Sequence, residues 1–361
     1  MIAAPRYAVF ASPHGFGHAA RTSAVMAALH ERNRAEFEVF TTVPTWFFDE
    51  SIAGRYRYHE VECDVGFRQQ SALVADIDAT VEALGAFLPF DDRLVDRLAQ
   101  RVQAAGCRAV LCDISPLGIA VAERAGLPSL LVESFQWPWL YAPFHERVPE
   151  LVGLSAELDR WWGLATIHVQ TEPLCWRDPV RLLVGPISRK PRQGRSSMRI
   201  ELEIDPGATV VTVTMGGYGE DMPYLDRLRE MSDLTFLITG ADRTHRQGNL
   251  LFFDNQTRVY MPDVLRASDA LVAKLGYGIV AEAWHEGLPL LSVSREDFRE
   301  MRALEEFSAN ELTGFGIQTA DFRAGTWIDR IPELLACERR PHEGDAADEV
   351  AQLLEGLGAT S

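Results

Sequence analysis

Short apolar runs alternate along the chain with longer stretches in which apolar residues recur every three or four positions. In the first half, Tyr7–Ser12, Phe37–Thr42, Val110–Cys112, Ser129–Val132 and Thr166–Gln170 read as buried strands. Between them Ala19–Glu31, Asp78–Ala105 and Leu117–Ala125 carry the helical period. Strand and helix in alternation predict βαβ units around a parallel sheet. A segment rich in glycine, proline and basic residues then runs from Val184 to Arg195 and reads as a linker or solvated hinge. After it the grammar restarts. Thr209–Thr214 is a strand, Met215–Gly219 a glycine loop, and a helix begins near Pro223. Leu234–Thr239, Arg258–Tyr260, Ala270–Ala273 and Leu290–Val293 continue the strands, and Asp345–Gly356 reads as one amphipathic helix. The expected organisation is an N-terminal domain over 1–184, a linker over 185–205, a second domain over 206–340, and a C-terminal helix and tail over 341–361. Two α/β domains of similar grammar place the natural ligand site in the cleft between them.

Composition narrows the classes. Of 361 residues, 47% are hydrophobic and 24% charged, the balance of a globular protein rather than a disordered one. A net charge of −17 repels phosphate backbones and anionic membrane surfaces, so no nucleic-acid partner is expected. Cys63, Cys107, Cys112, Cys175 and Cys337 stand singly, with no CxxC pair, which fits a reduced, cytoplasmic setting. Arg6 and Tyr7 already begin a strand-like run, leaving no signal peptide, and no charge-free run reaches the roughly 18 residues of a transmembrane segment.

Candidate chemistry sits in two glycine loops. The first, Ser12-Pro-His-Gly-Phe-Gly-His-Ala-Ala-Arg21, leaves a strand and opens a helix. Gly15 and Gly17 let backbone approach a ligand, and the helix N-terminus adds unpaired N–H groups. Gly15-x-Gly17-x-x-Ala20, with Glu38 about 20 residues on, fits a loose dinucleotide pattern. His14 and His18, bracketing the glycines, suit acid–base chemistry better. Arg21 shares a helix face with His18. The second loop lies in Ala270–Pro289. Here a strand runs into Gly276-Tyr277-Gly278, a helix starts at once, Glu282 follows four residues later, and Gly287-Leu-Pro289 stops the helix. N–H groups at such a helix start hold a diphosphate, and a carboxylate one turn inside accepts the hydroxyls of a ribose.

These blocks resemble the GT-B glycosyltransferases, which include the lipid-linked N-acetylglucosaminyltransferase of peptidoglycan synthesis. They resemble more closely the glycosyltransferase-like N-terminal region of plant L-arabinokinases and its stand-alone bacterial relatives. The resemblance rests on His14–Arg21, Cys112-Asp-Ile-Ser-Pro116, Glu133-Ser-Phe-Gln-Trp137, Lys274-Leu-Gly-Tyr-Gly278 and Arg295-Glu-Asp-Phe298, in order over nearly the whole chain. No galactokinase-type pattern follows in these residues, so sugar-kinase activity is not implied. The resemblance implies two facing Rossmann-like domains of the GT-B fold with a cleft between them. It also implies transfer of a sugar from a nucleotide-sugar donor, UDP-linked, to an unidentified acceptor hydroxyl, without a metal or other cofactor. By position, His18 matches the family's base and Asp113 the acid that orients it. Gly216 and Gly217 match the loop approaching the donor phosphates, and Gly276, Tyr277, Gly278 and Glu282 the diphosphate and ribose contacts. Met261 lies where backbone holds the base, and Arg295 and Glu300 where polar groups face the donor sugar. The usual Asp-Gln or Gln-Gln pair is replaced there. His14, Gly17, Arg21 and Trp137 are the acceptor-side candidates.

Other patterns carry less. Asp76-Ile-Asp78 has the letters of a metal-binding DxD but opens an amphipathic helix, and no cluster of His and Cys ligands occurs, so no protein-bound metal is expected. Trp137, Trp139, Tyr141 and Phe144 suit either sugar stacking or core packing. Two other functions compete with an enzyme of the GT-B kind. One is a non-catalytic module that binds sugar nucleotides. The other is a nicotinamide dehydrogenase, against which the loop at Gly276 and Glu282 counts.

Overall fold

The computed structural model describes residues 4–71, 74–216, 222–254, 259–295, 298–344 and 346–359. The chain divides into two units, Met1–Ile187 with Asp345–Ser361, and Ser188–Gly344.

The first unit holds strands β1 (Arg6–Ala11), β2 (Glu36–Thr41), β3 (Tyr56–Glu60), β4 (Arg68–Ser71), β5 (Val74–Asp76), β6 (Cys107–Asp113), β7 (Ser129–Glu133), β8 (Ile167–Thr171) and β9 (Leu182–Val184). Seven form a parallel sheet in the order β3-β2-β1-β6-β7-β8-β9, while β4 and β5 pair apart as an antiparallel ribbon. Central strands are covered on both faces, which is why Tyr7–Ala11 reads as one apolar run. Tyr7 and Val9 face a core shared with Val25 and Leu29 of the helix Phe16–Asn33. Phe10 and Cys112, of opposite parity, face Gly118 of the helix Pro116–Ala125. The helices after β1 and β6 therefore leave to opposite sides, and the carboxyl ends of these neighbouring strands frame a crevice.

The helical stretch expected over Asp78–Ala105 is two helices, Ile77–Phe87 and Asp92–Ala104. Pro89, lacking an N–H, interrupts the ladder, and Asp91 caps the second piece by accepting from Arg93 N (2.9 Å). Asp76 of the DxD look-alike caps the first, accepting from Ala79 N (2.9 Å). The C-terminal helix, Ala346–Ala359, packs into the first unit. Ala347, Val350, Ala351 and Leu354 join the core of Tyr7 and Leu29, and Arg32 bonds Asp348 and Glu355.

The second unit carries β10 (Thr209–Thr214), β11 (Leu234–Ala241), β12 (His245–Gln247), β13 (Leu250–Asp254), β14 (Ala270–Lys274), β15 (Leu290–Ser294) and β16 (Gly314–Gln318), in the order β12-β13-β11-β10-β14-β15-β16. All pairs are parallel except β12 with β13. One expected strand is displaced. Of Arg258–Tyr260, Arg258 lies outside the described residues and Tyr260 leads into the helix Met261–Ala267. The strand beside β11 is instead Leu250–Asp254, whose Phe252 and Phe253 fill the core on the two faces of the sheet. Part of the stretch expected as linker over 185–205 is helical. Arg195–Glu201 is a helix, and Arg195 and Arg199 donate to the two oxygens of Asp269 (2.5 and 2.8 Å). No helix among the described residues is long and apolar enough to cross a membrane.

Candidate active site

In the first unit the loop after β1 turns through Gly15, whose φ of +79° favours glycine, and enters the helix at Phe16 without a side-chain cap. His18 lies in the first turn and Asp113 ends β6, so the crevice brings them together although 95 residues separate them in sequence. His18 Nδ1 is 2.9 Å from Asp113 Oδ1. Arg21 grips the same carboxylate with both edge nitrogens, Nη2 to Oδ1 (2.5 Å) and Nε to Oδ2 (2.8 Å), and Thr22 Oγ1 donates to Oδ2 (3.1 Å). Arg21 Nη1 donates to Ser134 Oγ (2.9 Å), which donates to Thr171 O (3.0 Å). Asp113 is wholly buried. Burial pushes its carboxyl up, but the Arg21 guanidinium and the bonds from Arg21 and His18 outweigh that and hold it below the ordinary range. An ionised Asp113 can only accept, so Nδ1 of His18 carries the proton toward it and Nε2 is the ring nitrogen not tied to Asp113.

A second buried acid stands beside this cluster. Residues 63–67 cross the carboxyl ends of β1 and β6. Cys63 Sγ donates to Ala11 O (3.1 Å), and Ser115 Oγ donates to Cys63 O (2.7 Å). This sets Asp64 under Trp137, whose Nε1 donates to Oδ2 (2.8 Å). Burial pushes Asp64 up to about 6, against the bonds from Ser12 and Trp137. Gly66, at φ +62°, abuts His14. A Cβ there would come within 2.7 Å of His14 Nδ1 and 3.0 Å of Trp137. Trp137 in turn meets His14 edge-on, with ring centres 5.0 Å apart.

In the second unit the polar groups gather at the carboxyl ends of β10, β14 and β15, adjacent in the sheet. Gly216 follows β10, and a Cβ on it would lie 3.5 Å from Nζ of Lys274, the last residue of β14. Gly276 opens the helix Tyr277–Glu286 with no side-chain cap, and the helix N-terminus carries a positive dipole end. Glu282, one turn inside, is buried and accepts from Arg189 Nε (3.2 Å), with Nη2 at 3.1 Å from the same oxygen. Burial raises its carboxyl above the ordinary range, and Arg189 opposes the rise. After β15, Arg295 Nη2 donates to Glu300 Oε1 (2.9 Å), and its guanidinium lies 4.0 Å from the Phe298 ring centre.

Comparisons with known proteins place this architecture. No family model matches the chain. Over 350 residues the chain is 26% identical to L-arabinokinase of Arabidopsis thaliana, an alignment covering 92% of this chain and 32% of the plant protein. The chain thus spans about a third of that relative's length. Among solved structures, the spinosyn forosaminyltransferase SpnP superposes with a TM-score of 0.60 at 17% identity, over 99% of this chain and 100% of that one. A UDP-glucosyltransferase from Polygonum tinctorium gives 0.61 at 15% identity, over 99% and 94%. Arabidopsis thaliana UGT89C1, complexed with UDP, gives 0.61 at 15% identity, over 98% and 99%. The fold is GT-B.

Within this GT-B fold the expected residues fall into place unevenly. His18, Asp113 and Arg21 form one cluster, and Gly216, Gly276, Tyr277, Gly278 and Glu282 border one edge of the second sheet. Gly217 lies outside the described residues. Arg21 is committed to Asp113 and Ser134 rather than open to an acceptor. Gly17 is inside the helix, so Gly15 alone makes the turn. Trp137 is 1% exposed, so its ring packs the loop and offers no stacking face. Met261 starts its helix with its side chain against the core. Glu282 does not stand open, as a ribose acceptor read from sequence would, but shares its carboxylate with Arg189. Sequence reasoning missed Asp64 and Arg189. The only available signals were an acid in an irregular stretch and one arginine among the basic residues of the linker. Among the described residues no group of three or more His, Cys, Asp or Glu is arranged to hold a metal.

Proposed function

We propose that this chain is a glycosyltransferase that moves a sugar from a nucleotide donor, UDP-linked, to an acceptor hydroxyl. The observation that carries the reading is the buried pair of His18 Nδ1 and Asp113 Oδ1 at 2.9 Å, at the carboxyl ends of β1 and β6 of a GT-B fold. A sugar or alcohol hydroxyl is a poor nucleophile at neutral pH. Its proton must leave as its oxygen bonds the anomeric carbon and the nucleoside diphosphate departs. With Nδ1 tied to Asp113, His18 Nε2 is the nitrogen that takes that proton. Asp113 fixes the tautomer and ring orientation, and Arg21, Thr22 and the bond to Ser134 fix Asp113. In the second unit, the helix start at Tyr277 and Gly278, with the Lys274 ammonium beside Gly216, suits a diphosphate. Glu282 suits ribose hydroxyls, and Arg295 and Glu300 the donor sugar. Several of the structures sharing the fold are complexed with UDP or a UDP-sugar analogue, which favours uracil as the base.

The test is a thermal-shift panel of UDP, GDP and dTDP with their sugars, followed by assay of UDP release from the sugar nucleotides that bind. A ligand at about 100 times its dissociation constant adds about 2.7 kcal/mol of stability, readily seen. Binding without turnover over a broad acceptor panel would favour a sugar-nucleotide-binding module. Absence of binding by any nucleotide sugar would overturn the reading.

A further inference from the structure

Arg189 has no role in the reading above, yet it is the cation placed on the carboxylate assigned to ribose. Its Nε, at 3.2 Å, and its Nη2, at 3.1 Å, converge on Glu282 Oε1. Among the described residues no hydrogen bond reaches Oε2. Arg189 is itself held from behind. Its guanidinium carbon lies 4.9 Å from the centre of the Tyr260 ring, and the Tyr260 hydroxyl donates to Lys190 O (3.0 Å). Arg192 stacks on the same ring at 4.0 Å, while Arg192 N and Gln193 N donate to Asp263 Oδ1 (2.6 and 3.2 Å). The backbone that carries Arg189 is thus fastened to the helix Met261–Ala267 and does not trail in solvent.

We propose that Arg189 is a positioning residue of the nucleotide half-site: gripping Oε1 alone, it keeps Glu282 a carboxylate and leaves Oε2 as the acceptor for a ribose hydroxyl. The inference rests on the donor reading above and adds to it the group that sets the state of the acceptor. The physical need is plain. A carboxylate buried this deeply favours its neutral form, and a neutral acid presents a donor hydrogen to hydroxyls that themselves need acceptors. The charges facing Glu282 are Arg189 and, one turn along its own helix, Glu286. Glu286 adds like charge but is paired in turn by Arg266 Nε (2.9 Å) and Arg339 Nη2 (3.1 Å). Arg189 is therefore the residue whose loss tips Glu282 toward protonation.

The experiment compares the full chain with its Arg189→Gln and Arg189→Lys variants. Gln keeps a donor amide of similar reach and removes the charge, and Lys keeps the charge. Two quantities are read. One is the titration of the Glu282 carboxyl carbon by NMR, assigned with Glu282→Gln. The other is UDP affinity by calorimetry from pH 5.5 to 8, taken as the ratio to wild type at each pH so that the phosphate's own titration cancels. Arg189→Gln should raise the Glu282 midpoint by at least about one pH unit. It should weaken UDP binding about tenfold or more at the acid end, with recovery toward pH 8, and Arg189→Lys should restore most of both. An unmoved Glu282 midpoint in Arg189→Gln overturns the proposal. So does a loss of UDP affinity equal at every pH, which would mean that Arg189 meets the nucleotide directly. If the wild-type chain binds no UDP while the midpoint still moves, the donor reading falls and takes the ribose role with it, but the grip on Glu282 stands.

Discussion

Each candidate half-site holds a buried carboxylate in the grip of an arginine, Asp113 with Arg21 and Glu282 with Arg189, and the two pairs differ in what remains of the carboxylate. Asp113 accepts two bonds on each oxygen, from Arg21 Nη2 and His18 on Oδ1 and from Arg21 Nε and Thr22 on Oδ2. Its charge is fully met, its proton affinity lies below normal, and no acceptor capacity is left for a ligand. Glu282 is gripped on one oxygen and its proton affinity lies above normal. A saturated carboxylate acts on what already surrounds it, here by aiming His18. A half-used one retains binding capacity at the expense of ionising less readily. Burial and an arginine partner do not separate these roles, whereas the count of lone pairs already engaged does.

The sharpest way to break the comparison is to remove the saturated acid. Asp113→Ala strands Arg21 in the interior and should lower stability by about 3–5 kcal/mol in equilibrium urea unfolding. A cost no larger than that of Glu282→Ala would mean that saturation is not what distinguishes the two sites. Next, His18→Ala should reduce turnover by at least ~10²-fold and leave UDP affinity within about twofold, since the nucleotide groups belong to the other unit. Turnover close to wild type would pass the base role to His14 or dismiss catalysis altogether.

The pH dependence sharpens the contrast within the first unit. Asp113, with its folded proton affinity depressed, contributes stability that is complete above its unfolded value near pH 4 and drains as pH falls through the folded one. Asp64 has the opposite sign. Its ordinary value is 3.8 and its folded value about 6, so the native state holds the extra proton and gains stability as pH falls from about 6 toward 4. Asp64→Asn should flatten that slope and add on the order of 2–3 kcal/mol at pH 7, read from urea midpoints across pH 4–8. A parallel pair of profiles would contradict the assignment. The smallest effect falls on the second unit. Glu282→Gln should cost UDP affinity about 1.5–3 kcal/mol by calorimetry, the scale of a hydrogen bond to a charged group, while changing folding stability by less.

Much of the scaffold was legible because parallel strands buried on both faces need unbroken apolar runs. β1, β6, β7, β10, β14 and β15 lie where such runs stand. What escaped was fixed by long-range contact. The helix Arg195–Glu201 lies within the expected linker over 185–205, just after the breaker-rich segment, and is held by Asp269, some 70 residues away. At Arg258–Tyr260 the apolar letters Val259 and Tyr260 mimic a strand, but Pro262 at the first turn of the next helix and the phenylalanines of β13 settle the matter in three dimensions. At the site, His18 could be read from its place at a helix start after a glycine loop, whereas Asp113 is named through the family resemblance of Cys112–Pro116. Asp64 and Arg189 lie in irregular segments, where no period marks the direction of a side chain. Their chemistry comes entirely from what the fold sets against them, Trp137 in one case and Glu282 in the other.

The C-terminal helix dictates an order of assembly. The second unit is one continuous stretch of chain and can condense as soon as it has been synthesised. The first unit cannot, although most of it is made earlier. Val350 and Leu354, at about 1.5–3 kcal/mol each when buried, belong to the same core as Tyr7 and Leu29. Until residues 346–359 have left the ribosome, that apolar face waits open. The unit whose strands come first along the chain is therefore completed only when this helix arrives, and without it that unit would show a bare hydrophobic flank that invites chaperones or aggregation.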